Sequence, residues 1–132
     1  MKALITDFDF PDIALERGLF AEAGIQLADA QCRTEDELIT AARECDALLL
    51  QYAPVTDRVL KALLRVGLVS RYGAGYDTVD TAACSRHGVW VANSPDYGVG
   101  EVATHALAMA LRVPSPRIND IRYSSRARPS SV

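Results

Sequence analysis

Two glycines one residue apart, Gly73 and Gly75, stand shortly after an apolar run, Gly67-Leu68-Val69, which has the pattern of a buried strand. Glycine lets the backbone take dihedral angles that other residues avoid, and it lets a ligand approach the chain closely. In an open parallel sheet, ligands bind just outside the carboxyl ends of the strands, where exposed amides suit a carboxylate or a phosphate. The Gly73-Ala74-Gly75 loop is therefore either an anion site or a tight turn that needs small residues.

The spacing of these glycines does not fit the dinucleotide-binding fingerprint, which needs a third glycine three residues after the second. Thr78 occupies that position, and the loop follows the fourth predicted strand instead of the first. Asp77 and Asp80 are possible catalytic carboxylates in the same segment. We favour a capping role for both, because aspartates at such positions usually cap a turn or a helix.

A second acidic pair, Asp7 and Asp9, follows the first predicted strand and could suggest a phosphatase of the haloacid dehalogenase type. That motif needs threonine or valine where Pro11 stands, and no later lysine with an acidic pair completes it. A receiver domain would need an aspartate where Gln51 and Tyr52 stand. Short motifs often match by chance, so we favour neither interpretation.

Further along the chain, Glu101 and His105 lie four residues apart on the last predicted helix. That spacing allows a proton relay or half of a metal site, but a pair without a third ligand is more often a packing feature. We therefore predict no metal site. Tyr97 lies in a loop rich in proline and glycine, from which it could contact a ligand; the alternative is a partly buried tyrosine.

The composition indicates an ordinary globular protein of 132 residues, with 49 % hydrophobic residues and a net charge of −3. Such a charge implies no nucleic-acid surface. Cys32, Cys45 and Cys84 are widely spaced and odd in number, which is typical of free thiols in a reducing compartment. There is neither a signal-peptide pattern nor an apolar run of membrane-spanning length. We expect a soluble, cytoplasmic protein.

Apolar strands alternate with helical patterns five times, and this predicts an α/β fold with a flavodoxin-like, doubly wound parallel sheet of five strands. Thr34 and Glu37 form a capping-box sequence at one helix start, and Gly88 marks the end of another helix. The predicted strands are Ala3–Ile5, Ile25–Leu27, Ala47–Leu50, Leu68–Val69 and Val89–Val91.

We expect three regions: a domain over residues 1–98, a long helix over 99–111 and a tail over 112–132. The helix is nearly all small and apolar, so it should be packed around most of its circumference. The tail contains five arginines and three prolines, and it cannot bury enough apolar surface to order itself. We therefore predict a disordered tail.

Three blocks resemble the N-terminal half of the NAD-dependent D-isomer-specific 2-hydroxyacid dehydrogenases: Val69–Asp80, Arg86–Tyr97 and Glu101–Ala108. The run from Val91 to Tyr97 is especially similar to bacterial relatives of the C-terminal binding proteins. The resemblance covers residues 1 to about 111 with its spacing intact.

The resemblance implies a substrate-binding domain in which backbone amides hold a substrate carboxylate. The implied substrate contacts are Tyr52, Ala53, Gly73, Ala74, Gly75 and Tyr97, and Ala74 and Val102 would lie near the nicotinamide of NAD or NADP. The helix over residues 99–111 would cross into a cofactor domain and contribute to a homo-oligomer interface. Neither a nucleic acid nor a membrane is an expected partner.

The family's cofactor domain, and its catalytic arginine, glutamate and histidine, have no counterpart in these 132 residues, and His105 belongs to a different motif. We therefore expect a truncated oxidoreductase of small 2-hydroxy acids that holds the substrate carboxylate, carries no catalytic residue and is inactive alone. The alternative is a non-catalytic module that binds small carboxylates or drives oligomerisation.

Overall fold

The computed structural model describes residues 1–112 and contains a five-stranded, wholly parallel sheet with helices between successive strands. The strand order is β2-β1-β3-β4-β5, which is the order of flavodoxin-like folds. The predicted fold class is therefore confirmed. In chain order the elements are β1 (Lys2–Ile5), α1 (Ala14–Glu22), β2 (Gln26–Asp29), α2 (Glu35–Ala42), β3 (Ala47–Leu50), α3 (Asp57–Ala62), β4 (Leu68–Arg71), α4 (Thr81–His87), β5 (Trp90–Ala92) and α5 (Val99–Arg112).

The core lies around the central strands β1, β3 and β4. Leu4, Leu48 and Val69 are at most 2 % exposed, and Leu48 pairs with both Leu4 and Val69 in the sheet register. A strand covered by helices on both faces carries apolar residues at every position, which explains the continuous run of β3. This central packing holds the carboxyl ends of β1, β3 and β4 side by side at one edge of the sheet.

The helix ends follow local signals in the sequence. The Thr34 hydroxyl accepts a hydrogen bond from the amide of Glu37, whose carboxylate accepts one in return from the amide of Thr34. The Asp80 carboxylate accepts the amide of Ala83 at 2.8 Å, and Gly88 ends α4 with a φ of +69°. The capping role predicted for Asp80 is confirmed, whereas Asp77 accepts no hydrogen bond from any described residue.

The three cysteines, Cys32, Cys45 and Cys84, are buried and unpaired, as predicted. Burial raises the pKa of each thiol, so all three stay protonated near neutral pH. A thiol in that state is a poor nucleophile. The cysteines therefore act as small apolar residues of the core.

Residues Met1–Tyr97 form one compact unit, and a second begins at Gly98. No residue of α5 is buried within the part of the chain that the structure describes, so the expectation that α5 is packed around most of its circumference stays a prediction. An apolar helix gains free energy from burial only where another surface covers it, and composition alone does not supply that surface. The predicted tail covers residues 112–132; Arg112 is the last residue of α5, and residues 113–132 lie outside the described residues. None of the helices within residues 1–112 is both long and apolar enough to cross a bilayer.

Candidate functional site

A cavity of about 600 Å³ opens at the carboxyl end of the sheet, within the unit Met1–Tyr97. Parallel strands all end at this edge, and ligands of doubly wound sheets bind there. The lining residues come from the end of β4 and from the segments that follow β1, β3, β4 and β5: Phe10, Gln51, Ser70, Arg71, Tyr72, Gly73, Ala74, Ser94 and Tyr97. The cavity brings together three of the predicted substrate contacts, namely Gly73, Ala74 and Tyr97, whereas Gly75 follows them in the same loop and does not line the cavity.

The backbone amides of Gly73, Ala74 and Gly75, here called the cradle, donate to no acceptor within residues 1–112. The hydrogen bonding of β4 ends one residue earlier, where the amide of Tyr72 donates to the carbonyl of Leu50 at 2.9 Å. Gly73 has a φ of +99°, a conformation that side-chain-bearing residues rarely adopt. The glycine turn thus leaves three successive amides free to bind an anion.

The carbonyl groups of the cradle are held by the loop that follows β5. The amide of Ser94 donates to the carbonyl of Gly73 at 3.1 Å, and the Asn93 side-chain amide donates to the carbonyl of Ala74 at 2.7 Å. In a trans peptide the C=O and the following N–H point in opposite directions. The N–H groups of Ala74 and Gly75 therefore point away from Asn93 and Ser94, in fixed orientations.

We predict that Asn93→Ala weakens the binding of a small carboxylate such as glyoxylate about threefold to tenfold, because the Ala74–Gly75 peptide is then free to rotate. A net hydrogen bond is worth roughly 0.5–1.5 kcal/mol, which corresponds to that range. Titration calorimetry on the variant measures the effect. Ser94→Ala is the matched control, since it keeps its backbone hydrogen bond to Gly73; an equal loss in both variants would contradict this role of Asn93.

Arg71, at the end of β4, was not among the predicted site residues, yet it lines the cavity beside the cradle. An ideal Cβ built on Gly73 would lie 2.4 Å from Nη1 of Arg71, so the guanidinium lies directly against the glycine. This guanidinium has no hydrogen-bond or ion-pair partner among the described residues. A free cation next to three free amides strengthens the attraction for an anion.

Tyr52 and Ala53, two predicted substrate contacts, do not line the cavity. Ala53 is only 1 % exposed, and the Tyr52 hydroxyl donates to the Asp9 carboxylate at 3.0 Å. Their backbone amides are bound to Asp7. The residue of this loop that lines the cavity is Gln51. Gln51 was not among the predicted site residues.

The acidic pair after β1 has no free nucleophile. Asp7 is fully buried, and both of its carboxylate oxygens accept hydrogen bonds from groups nearby. The Asp9 carboxylate accepts hydrogen bonds from Gln51 and Tyr52, which lower the pKa of Asp9. Such saturated carboxylates are structural, which agrees with setting the phosphatase interpretation aside.

An aromatic pair forms the apolar part of the cavity wall. The rings of Phe10 and Tyr72 meet edge to face with centroids 5.2 Å apart, and the Tyr72 hydroxyl lies 3.3 Å from the Glu16 carboxylate. Burial and the Glu16 charge raise the pKa of Tyr72, so its hydroxyl stays neutral. The cavity therefore presents a polar, cationic side at Arg71 and an apolar side at these rings.

The remaining predicted residues lie on α5, in the second unit. Val102 is 70 % exposed, and Glu101 and His105 share one face of the helix. Within residues 1–112 no three side chains of metal-binding type come together.

Gly98, Gly100 and Ala103 fit the looser glycine-glycine-alanine form of the dinucleotide fingerprint. That pattern follows the fifth strand and opens no further βαβ unit in the described part of the chain, so it predicts no more than a glycine turn.

Comparison with known proteins gives one consistent result. A family model described as the catalytic domain of D-isomer specific 2-hydroxyacid dehydrogenases matches residues 10–129. The chain is 42 % identical over 77 residues to a D-3-phosphoglycerate dehydrogenase of Mycobacterium bovis, and 39 % identical over 104 residues to that of Mycobacterium leprae. The NAD⁺-bound 3-phosphoglycerate dehydrogenase of Entamoeba histolytica superposes with a TM-score of 0.70 at 24 % identity.

These matches cover much of this chain but only a small part of each relative. The match covers 58 % of this chain and 15 % of the Mycobacterium bovis protein, and 78 % of this chain and 19 % of the Mycobacterium leprae protein. For the Entamoeba histolytica structure the shares are 83 % and 37 %. The chain therefore spans less than a fifth of the length of these curated relatives.

Proposed function

The chain belongs to the family of D-isomer specific 2-hydroxyacid dehydrogenases, and on that premise we propose that its cavity holds the carboxylate end of a small 2-hydroxy or 2-oxo acid. The reaction served is hydride transfer between a nicotinamide and the CH–OH carbon of that acid. One observation carries the proposal: three successive amides, at Gly73, Ala74 and Gly75, have no acceptor among residues 1–112, and the first of these residues lies against the guanidinium of Arg71 on the cavity wall.

The role of this chain in the reaction is to bind and orient the substrate. Amide donors fixed before the ligand arrives need no reorganisation to bind a carboxylate. Holding the carboxylate fixes the position of the neighbouring C2 carbon, and such positioning supplies much of the rate advantage of an enzyme. We assign no catalytic acid or base within residues 1–112, since none of the ionisable side chains lining the cavity is a histidine or a carboxylate.

NAD or NADP, when bound to a family member, supplies or accepts the hydride. The described residues fit only one edge of such a cofactor. Ala74 lies on the cavity wall, while Val102 lies on α5 in the other unit, and the side chain of each offers only a small apolar surface. The strict glycine fingerprint is absent from the 132 residues. We therefore derive no step through the dinucleotide.

We predict that the purified 132-residue chain binds glyoxylate weakly, with a dissociation constant of about 1 mM. We also predict that the chain does not oxidise NADH when glyoxylate is present. Titration calorimetry and absorbance at the NADH band measure the two properties. The neutral amide of glyoxylic acid is the matched control ligand, because it keeps the shape and loses the charge. Equal binding of both compounds would contradict the carboxylate site, and NADH-dependent reduction would contradict the inactivity.

We further propose a substrate that carries a second anionic group, such as 3-phosphoglycerate. The free cation of Arg71 supports this proposal, and so does the similarity to the two mycobacterial D-3-phosphoglycerate dehydrogenases. We expect Arg71→Gln to weaken the binding of both ligands, with a loss of tenfold or more for 3-phosphoglycerate and a smaller loss for D-glycerate. The guanidinium attracts both anionic groups of 3-phosphoglycerate but only the carboxylate of D-glycerate, and a charge-assisted hydrogen bond is worth roughly 1.5–3 kcal/mol. The affinities of 3-phosphoglycerate and D-glycerate are measured by competition with glyoxylate. An equal loss of affinity for the two ligands would contradict a contact between Arg71 and the phosphate group.

The alternative is a module that binds carboxylates or drives oligomerisation without catalysis. The observation in its favour is α5, where Val102, Leu107, Met109 and Leu111 are between 59 % and 78 % exposed. Exposed apolar patches of this kind often mark interfaces, and we propose a homo-oligomer through this helix. Sedimentation at increasing protein concentration tests whether the chain forms this homo-oligomer.

The three unpaired thiols support a cytoplasmic location.

A further inference from the structure

Asp7 is a buried carboxylate that the proposed function does not use. It follows β1, is 0 % exposed, and reaches across to the loop of residues 51–53 that follows β3. Its Oδ2 accepts the amide of Tyr52 at 2.6 Å, and its Oδ1 accepts the amides of Gln51 at 3.3 Å and Ala53 at 3.1 Å. The Thr6 hydroxyl donates to the same Oδ1 at 2.8 Å. Three successive amides and one hydroxyl therefore surround this carboxylate.

The 51–53 loop and the cradle share one design. Each follows a strand of the same parallel sheet, at neighbouring positions β3 and β4, and each presents three successive backbone amides. The difference is that the amides of the 51–53 loop bind a carboxylate of the protein itself, whereas those of the cradle bind no described residue. If the amides of the 51–53 loop were free, they would form a second group of donors for a small anion at the same edge of the sheet.

We propose that Asp7 is a positioning residue that acts as an internal ligand of the 51–53 loop. By occupying these amides it leaves the cradle as the anion site of this sheet edge, and it fixes Gln51 on the cavity wall. The proposal rests on the proposed function for its ligand, a small carboxylate. It adds that substrate selectivity depends on a buried residue that does not line the cavity.

The network around Asp7 connects it to the cavity through Gln51. The Gln51 side-chain oxygen accepts the amide of Asp9 at 3.0 Å, and its Nε2 donates to the Asp9 carboxylate at 2.6 Å and contacts the Tyr52 hydroxyl at 3.0 Å. The backbone of Gln51 is held by Asp7, and its side chain is held by Asp9 and Tyr52. Loss of the Asp7 carboxylate releases the backbone half of this support.

The test is chemical rescue in the full 132-residue chain, followed by amide NMR. In the wild-type chain, sodium formate at constant ionic strength should shift the amide signals of the cradle and leave those of residues 51–53 unmoved. In Asp7→Ala, formate should enter the vacated space and shift the amides of Gln51, Tyr52 and Ala53, while raising the melting temperature several degrees more than in the wild type. Asp96→Ala, the same change at an exposed aspartate, should respond to formate as the wild type does.

Asp7→Asn is the second variant, for the case in which Asp7→Ala does not fold. Its carboxamide oxygen accepts hydrogen bonds but its NH₂ group cannot, so the 51–53 amide signals should shift and formate should bind only at the cradle. Amide signals of residues 51–53 that match the wild type in Asp7→Asn would overturn the proposal. So would a folded Asp7→Ala in which formate leaves those signals unmoved. The cradle amides of the wild-type chain test the proposed function and not the role of Asp7. If formate leaves these signals unmoved, the proposed function is contradicted, while the role of Asp7 still depends on the signals of residues 51–53.

Discussion

Gly73→Ala should reduce the affinity of the chain for glyoxylate by tenfold or more. The φ of +99° at Gly73 is the physical reason, because a residue with a Cβ is strained in that conformation by roughly 1–3 kcal/mol. The added Cβ would also lie 2.4 Å from Nη1 of Arg71 and displace the guanidinium from the cradle. This strain weakens binding because the unbound variant relaxes to another turn conformation, which the ligand must reverse. Each 1.4 kcal/mol corresponds to a factor of ten in affinity, so the strain and the displaced guanidinium together account for the expected loss.

Gly75→Ala is the matched control for that prediction. Gly75 does not have a positive φ, and the nearest atom to its added Cβ is Oδ2 of Asp77 at 3.7 Å, an ordinary van der Waals distance. The same methyl group two residues away should therefore leave glyoxylate affinity within about threefold of the wild type. Titration calorimetry compares the two variants, and equal losses, or a larger loss at Gly75, would contradict the geometry described for the cradle.

Asp7→Ala should cause the largest loss of stability, roughly 3 kcal/mol of the free energy of unfolding. Three amides lose their acceptor at a fully buried position, while the Thr6 hydroxyl keeps the Leu49 carbonyl at 3.3 Å, and an unsatisfied buried polar group costs about 1–3 kcal/mol. The loss stays below the simple sum because water can enter the space left by the carboxylate. A domain of this size has a free energy of unfolding of about 5–15 kcal/mol, so the variant should still fold and its loss of stability should be measurable.

Chemical denaturation measures this difference, with Asp96→Ala as the control. Asp96 is exposed and has no hydrogen-bond partner within residues 1–112, so its removal should change stability by less than about 0.5 kcal/mol. A loss below 1 kcal/mol in Asp7→Ala would contradict the view that this carboxylate holds the 51–53 loop.

The fold could be predicted from the sequence because its signals are local. The apolar run of Ala47–Leu50 and the capping pair Thr34 and Glu37 each lie within a few residues, and the structure places both as expected. Alternation of strands and helices then restricts the architecture to a parallel sheet. The burial of α5 could not be predicted in this way, because burial depends on a covering surface and not on the helix itself.

The site was predicted less completely, for a related reason. The glycine spacing of the cradle is visible within three residues, but the hydrogen bonds of Asp7 join groups 44 to 46 residues apart in sequence. No pattern in the chain shows that Tyr52 and Ala53 have their amides occupied. Arg71 could have been noticed, since a cation two residues before the glycines of a strand-end loop is a natural partner for an anion.

The proposed role of the amides of Gly73, Ala74 and Gly75 is to bind the carboxylate of a small 2-hydroxy or 2-oxo acid. The most direct measurement is a glyoxylate titration of the ¹⁵N-labelled chain, with the backbone amides assigned. The signals of the three cradle amides should shift together and saturate with one dissociation constant of about 1 mM. These shifts should be larger than those of any other amide in the unit Met1–Tyr97. Cradle signals that stay in place while glyoxylate shifts amides elsewhere would contradict the account.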